Sequence, residues 1–121
     1  MKVNQFQKRA SKAAMGNFVN PFNMVAIVAH KGRVLSIGTN QMNKTSPVYF
    51  NGRHDKGVHA EWAALRPLKH HNLKNVDMYI FYFRKNGTMG NSKPCAHCIK
   101  KIEEFGINRV YYMEHGEVKT L

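Results

Sequence analysis

Two hydrophobic periods alternate along the chain, and each change of period marks a new element. Val3, Phe6, Ala10, Ala13 and Ala14 recur at three- and four-residue spacing, so residues 3–18 are expected as an amphipathic helix with Lys8, Arg9 and Lys12 on its wet face. Met24–His30 and Arg33–Asn40 read as two strands joined by a tight turn at Lys31-Gly32. Residues 41–57 carry Pro47, Gly52 and Gly57 with no periodicity and are expected as one long loop. Val58 to about His70 reads as a helix whose last turn Pro67 limits. Val76–Phe83 is aromatic and β-branched without clean alternation, the mark of a central strand covered on both faces. Pro94 opens a helix that runs to Phe105 and stops at Gly106, Arg109–Met113 is a strand, and Glu117–Leu121 offers a further one. Helices and strands in this order predict a three-layer α/β sheet in one domain spanning residues 1–121.

Composition adds a charge. The 121 residues hold 19 Lys and Arg against 7 Asp and Glu, a net +12. Residues 1–54 carry eight of those basic side chains and no acid, while the rest of the chain carries all the acids. Such a field steers anions, so a negatively charged partner is expected. Lys44, Arg53, Arg84 and Lys85 are candidate phosphate contacts, and Tyr49 and Phe50 are candidate stacking platforms in an otherwise polar segment. No apolar run approaches the ~18 residues of a membrane span, and no charged-apolar-small leader opens the chain. The expectation is an intracellular protein without a membrane partner.

The chemistry lies in two short pieces, Val58-His59-Ala60-Glu61 and Pro94-Cys95-Ala96-His97-Cys98. Cys95 and Cys98 are three apart, so on a helix both sulfurs reach one ion. Without a secretion signal, a Cys-x-x-Cys pair points to metal or redox chemistry rather than to a disulfide scaffold. His59 adds a nitrogen ligand, and three protein ligands leave the fourth tetrahedral position open, which is the catalytic zinc pattern. Glu61 is turned roughly 200° from His59 on an ideal helix, so it is not a fourth ligand on the same face. Zinc with two thiolates carries little net charge and acidifies water less than a tris-imidazole zinc, so a nearby base is needed; Glu61 is placed to be that base.

This His-x-Glu…Pro-Cys-x-x-Cys pair resembles the cytidine/deoxycytidylate deaminase superfamily, zinc enzymes that include tRNA adenosine deaminases and APOBEC-type polynucleotide deaminases. The resemblance implies a three-layer α-β-α fold with about five strands in a mixed sheet. It implies that His59, Cys95 and Cys98 hold Zn2+, that Glu61 shuttles protons, that Asn40 contacts the sugar, and that the backbone N–H of Ala60 holds the base carbonyl. Only about eight residues follow Met113, too few for a parallel crossover, so the last strand is expected to be antiparallel. In the family an antiparallel last strand is typical of the free-nucleoside branch and of some bacterial toxin deaminases. A histidine as first ligand is typical of the nucleotide and polynucleotide branches.

The expected function is therefore hydrolytic deamination of cytosine to uracil, with single-stranded nucleic acid favoured as substrate by the charge. A free cytidine nucleoside or nucleotide, a tRNA-type adenosine, and a non-catalytic zinc module that binds nucleic acid are the alternatives. Glu61 separates the last of these from the rest.

Overall fold

The structure is a computed structural model and describes residues 2–15, 22–50, 53–69, 72–84 and 88–121. Helix α1 (Lys2–Met15) is followed by strands β1 (Phe22–His30) and β2 (Arg33–Thr39). The expected turn joins those two strands at Lys31-Gly32, where φ is +49° and +82°. Two successive positive φ values give the turn a twist that matches the flanking strands, and glycine supplies one of them without strain. His115-Gly116 repeats the device, at φ +52° and +77°, between β6 (Arg109–Glu114) and β7 (Glu117–Thr120). That second turn explains how so short a tail adds a strand, and it adds it antiparallel, as expected.

With β5 (Asp77–Arg84) these strands form one sheet in the order β2-β1-β5-β6-β7. Only the β5–β6 pair is parallel. The parallel crossover between them is helix α3 (Ala96–Glu104). Side chains alternate across the sheet and make two cores. One holds Phe6, Ala10 and Ala14 of α1 with Val25, Ile27, Tyr79, Phe81 and Phe83. The other holds Ala60, Ala64 and Leu65 of helix α2 (Ala60–Leu65) and Ile102 of α3 with Ala26, Val28, Met78 and Ile80. Thus α1 covers one face, while α2 and α3 cover the other.

Three boundaries depart from the sequence reading. Residues 41–57 are not one loop: β3 (Gln41–Phe50) and β4 (Arg53–Val58) pair antiparallel as a separate two-stranded sheet. Proline and two glycines hid this pairing, because an irregular ladder with register shifts after Gln41 and Thr45 leaves no clean alternation to read. The helix expected to reach His70 ends at Leu65 and tightens into a 3-10 turn over Arg66–Leu68, with Pro67 inside it. Pro94 lies one residue ahead of the α3 cap rather than in its first turn, since Cys95 takes the cap position itself. Residues 16–18 of the first expected helix, His70 and Lys85 lie outside the described residues. Among the described residues no helix is long and apolar enough to cross a membrane.

Candidate metal centre

His59 and Cys95 occupy equivalent places. Each is the extended residue capping its helix, at φ −71° and ψ 147° for His59 and φ −71° and ψ 167° for Cys95. Each begins the intrahelical ladder with its carbonyl, accepting from Ala63 N at 3.0 Å and from Ile99 N at 2.9 Å. Neither side chain bonds back to cap its own helix. His59 Nδ1 lies 3.2 Å from Cys98 Sγ and 3.9 Å from Cys95 Sγ, and the three ligand atoms fall within 4.8 Å of one another. Tetrahedral zinc with ordinary Zn–N and Zn–S bonds sets nitrogen and sulfur about 3.6 Å apart. The two observed distances bracket that value, so the donor set fits zinc.

What lets α2 bring His59 here is Gly38 of β2. A Cβ on Gly38 would lie 2.8 Å from Ala63 C and still closer to Ala64 N and Ala60 O. Only a residue without a side chain lets the helix backbone come so near the strand, and Ala60, Ala63 and Ala64 continue the same economy of bulk on the other side.

Glu61 is buried, at 4% exposure, in the first turn of α2. Burial raises its pKa above the ordinary carboxylate value, against the lowering effects of a backbone hydrogen bond, the His59 charge and a hydrogen bond with Cys98. A carboxyl held this way carries a proton at higher pH than a solvated one, which is what a proton shuttle requires. Cys95 is pushed the other way, down to about 4, chiefly by a hydrogen bond from Cys98 and then by His59. Cys98 is correspondingly raised by the same hydrogen bond and by burial. The two thiols are thus coupled, and the shifts favour the thiolate on exposed Cys95 over buried Cys98.

The other expected site residues divide. Ala60 is fully buried as the first residue of α2, where a backbone N–H has no intrahelical acceptor. Asn40 is buried directly after β2, and its Oδ1 accepts from Met24 N at 2.9 Å while its own N donates to Met24 O at 3.2 Å. It therefore clamps the sheet rim beside the site. Arg84 is engaged with its own loop: Nη1 donates to Met89 O at 2.8 Å and to Thr88 Oγ1 at 3.3 Å, and the guanidinium lies 5.9 Å from the Tyr82 ring centroid. Lys44, Tyr49, Phe50 and Arg53 belong to β3 and β4, but their side chains, like Lys85, lie outside what is described. Lys8, Arg9 and Lys12 are exposed on α1, across the sheet from His59. One residue of consequence escaped the sequence reading. Ser92 is fully buried three positions before Cys95, and nothing about a serine in a glycine-rich loop signals that.

A sequence model of the cytidine and deoxycytidylate deaminase zinc-binding region matches residues 2–114. The chain belongs to that family. Its fold is similar to the cytidine deaminase of Burkholderia pseudomallei, with a TM-score of 0.59 at 21% identity over 93% of this chain and 87% of that one. It is similar also to a dCMP deaminase from cyanophage S-TIM5, solved with dCMP and dUMP, with a TM-score of 0.56 at 20% identity over 88% and 79% of the two chains. No curated protein sequence matches the chain. The family is one of hydrolytic deaminases with a zinc-binding region, and the His59–Cys95–Cys98 cluster of this member is compatible with zinc.

Proposed function

We propose that the chain is a zinc-dependent hydrolytic deaminase that converts the cytosine of a free cytidine or deoxycytidine nucleotide, with water, to uracil and ammonia. The observation that carries this reading is the buried Glu61 carboxyl in the first turn of the helix that His59 caps, beside three convergent ligands: an acid–base group where a water must be activated. His59, Cys95 and Cys98 hold the zinc, which when bound supplies Lewis-acid activation of water. Glu61 takes a proton from the attacking water and gives it up to the ring. The Ala60 N–H holds the base carbonyl, and Asn40, fixed through Met24, presents its amide at the sugar. Water adds at C4 as one of its protons passes through Glu61 to N3; the second passes from the new hydroxyl to the amine, the C4–N bond breaks, and ammonia leaves with C4 now a carbonyl.

A single nucleotide is preferred to a strand because three of the basic residues that favour a strand lie on α1, across the sheet from the site. The cyanophage neighbour, with dCMP and dUMP, supports the same preference. The second reading, single-stranded nucleic acid, keeps the support of the +12 charge and of the β3–β4 hairpin that leads into His59 and carries Lys44, Tyr49, Phe50 and Arg53.

The test is a panel of cytidine, deoxycytidine, their monophosphates, single-stranded DNA and RNA, and an adenosine-containing tRNA, assayed for uracil and inosine. Fastest uracil formation from a monophosphate is expected. Turnover confined to strands moves the substrate to the second reading, inosine moves the base to adenine, and no product from any substrate overturns the enzyme.

A further inference from the structure

The parallel ladder between β5 and β6 runs from Asp77↔Arg109 to Ile80↔Tyr112 and stops there. In that register the next bond would run from Met113 N–H to Ile80 C=O. It is replaced by a relay. Met113 N donates to Ser92 Oγ at 2.7 Å, and Ser92 Oγ donates its own proton to Ile80 O at 2.7 Å. Ser92 N then donates to Met113 O at 2.8 Å, so the serine is pinned by three bonds in a fully buried position.

The chain arriving at this split has turned back along β5. Arg84 N donates to Thr88 O at 2.8 Å, Met89 bridges Phe83 antiparallel, and Gly90 N donates to Tyr82 O at 3.0 Å. Next to Ser92, Asn91 Oδ1 accepts from His115 N at 2.8 Å, which ties the same segment to the β6–β7 turn. Past Ser92 only Lys93 and Pro94 remain before Cys95. The proline ring fixes its own φ and holds Lys93 in an extended conformation. The tether from Ser92 to the metal ligand therefore has little torsional freedom.

We infer that Ser92 is a positioning residue of the metal centre, its hydroxyl wedging β5 and β6 apart and setting where Cys95 stands relative to His59 and Cys98. The inference rests on the zinc reading of that cluster. It gives the short β6–β7 hairpin a role as well, because both anchors of the segment, Met113 and His115, belong to it.

The experiment measures metal rather than turnover. Cobalt(II) is put in place of zinc, its thiolate charge-transfer and visible bands are recorded, and zinc affinity is measured by competition with a chromophoric chelator. The proteins are the unmodified chain, Ser92→Ala, Asn91→Ala, and Phe6→Leu as a variant of lowered stability on the far face, all well below their melting temperatures. Groups bonded directly to a metal ligand typically contribute 10–100-fold in affinity; Ser92 acts through the Lys93-Pro94 tether, so a loss at the lower end, about tenfold, is expected in Ser92→Ala with altered cobalt bands. Phe6→Leu should keep both readouts. Equal affinity and an unchanged spectrum in Ser92→Ala, or the same loss in Phe6→Leu, overturn the inference while leaving the metal centre intact. No metal uptake by the unmodified chain overturns both. Should Ser92→Ala fail to fold, Asn91→Ala decides: a two- to threefold loss supports the inference, and no loss overturns it.

Discussion

The two faces of the sheet are built from different materials. On the α1 side the core is aromatic: Phe6 lies 4.6 Å from Tyr79, and Tyr79 stacks on Tyr111 at 4.9 Å and 12°. Large side chains hold helix and strands apart there, and contact is made through bulk. On the α2–α3 side the partners are alanines and a glycine where α2 meets β2, and backbone approaches backbone. The difference has a consequence for chemistry. His59 hangs from the start of α2, so a helix that packs main chain on main chain against β2 fixes where that ligand stands more tightly than packed rings would. Both faces bury large apolar side chains, and the α2–β2 contact adds the close backbone approach that places His59.

Glu61→Gln sharpens that division most. It alters one proton on the α2–α3 side and should lower turnover by about a thousandfold, roughly 4 kcal/mol of barrier, while zinc content stays at one per chain. Because burial raises the Glu61 pKa, the folded state keeps a proton that the unfolded chain gives up above its ordinary value. Stability of the metal-free protein therefore falls as pH rises through that window, and Glu61→Gln removes the fall. A variant that keeps a tenth of the rate would end the proton-shuttle assignment. Phe6→Ala is the converse test. Phe6 is 1% exposed, and truncating it should cost about 3–4 kcal/mol in denaturant unfolding. The folded fraction should keep its zinc and its rate, and a parallel loss of zinc affinity would mean that the two faces are not independent.

How much of this was legible in the sequence follows the same division. The convergence of His59, Cys95 and Cys98, five of the strands and the antiparallel end were readable because each rests on a local signal: spacing of three, a cap-and-helix pattern, an X-Gly turn, a tail too short for a crossover. The β3–β4 pairing was not, since its ladder shifts register twice and its residues carry loop chemistry. Nor was the role of Ser92, whose partners Ile80 and Met113 lie 12 and 21 positions away. The charge was legible in amount but not in place. Only the fold shows that Lys8, Arg9 and Lys12 stand across the sheet from the ligands.

Gly38→Ala probes the close approach directly. The added methyl has only helix backbone to push against, so α2 must move, and about 1–3 kcal/mol of stability should be lost. Zinc affinity should fall along with stability, because the shift carries His59. A stability loss with unchanged zinc binding would show that His59 is held by something other than the α2 backbone, and the contrast between the faces would weaken.

The smallest effect belongs to the aromatic face and is visible only in alkali. Burial, with Asp77 and Tyr111 adding to it, raises the Tyr79 phenol from 10.0 to about 12. Between those values the unfolded chain has released the proton and the folded chain has not. Stability contributed by this group is thus complete below about pH 10 and is lost as pH rises toward 12, with nothing lost at neutrality. Tyr79 should therefore titrate late in an ultraviolet difference spectrum. Tyr79→Phe should delete that late phase, flatten the alkaline decline in melting temperature, and leave zinc and turnover at neutral pH as they were. A late phase that survives in Tyr79→Phe belongs to another ring, and the packing of α1 over Tyr79 is then looser than the 4.6 Å contact with Phe6 implies.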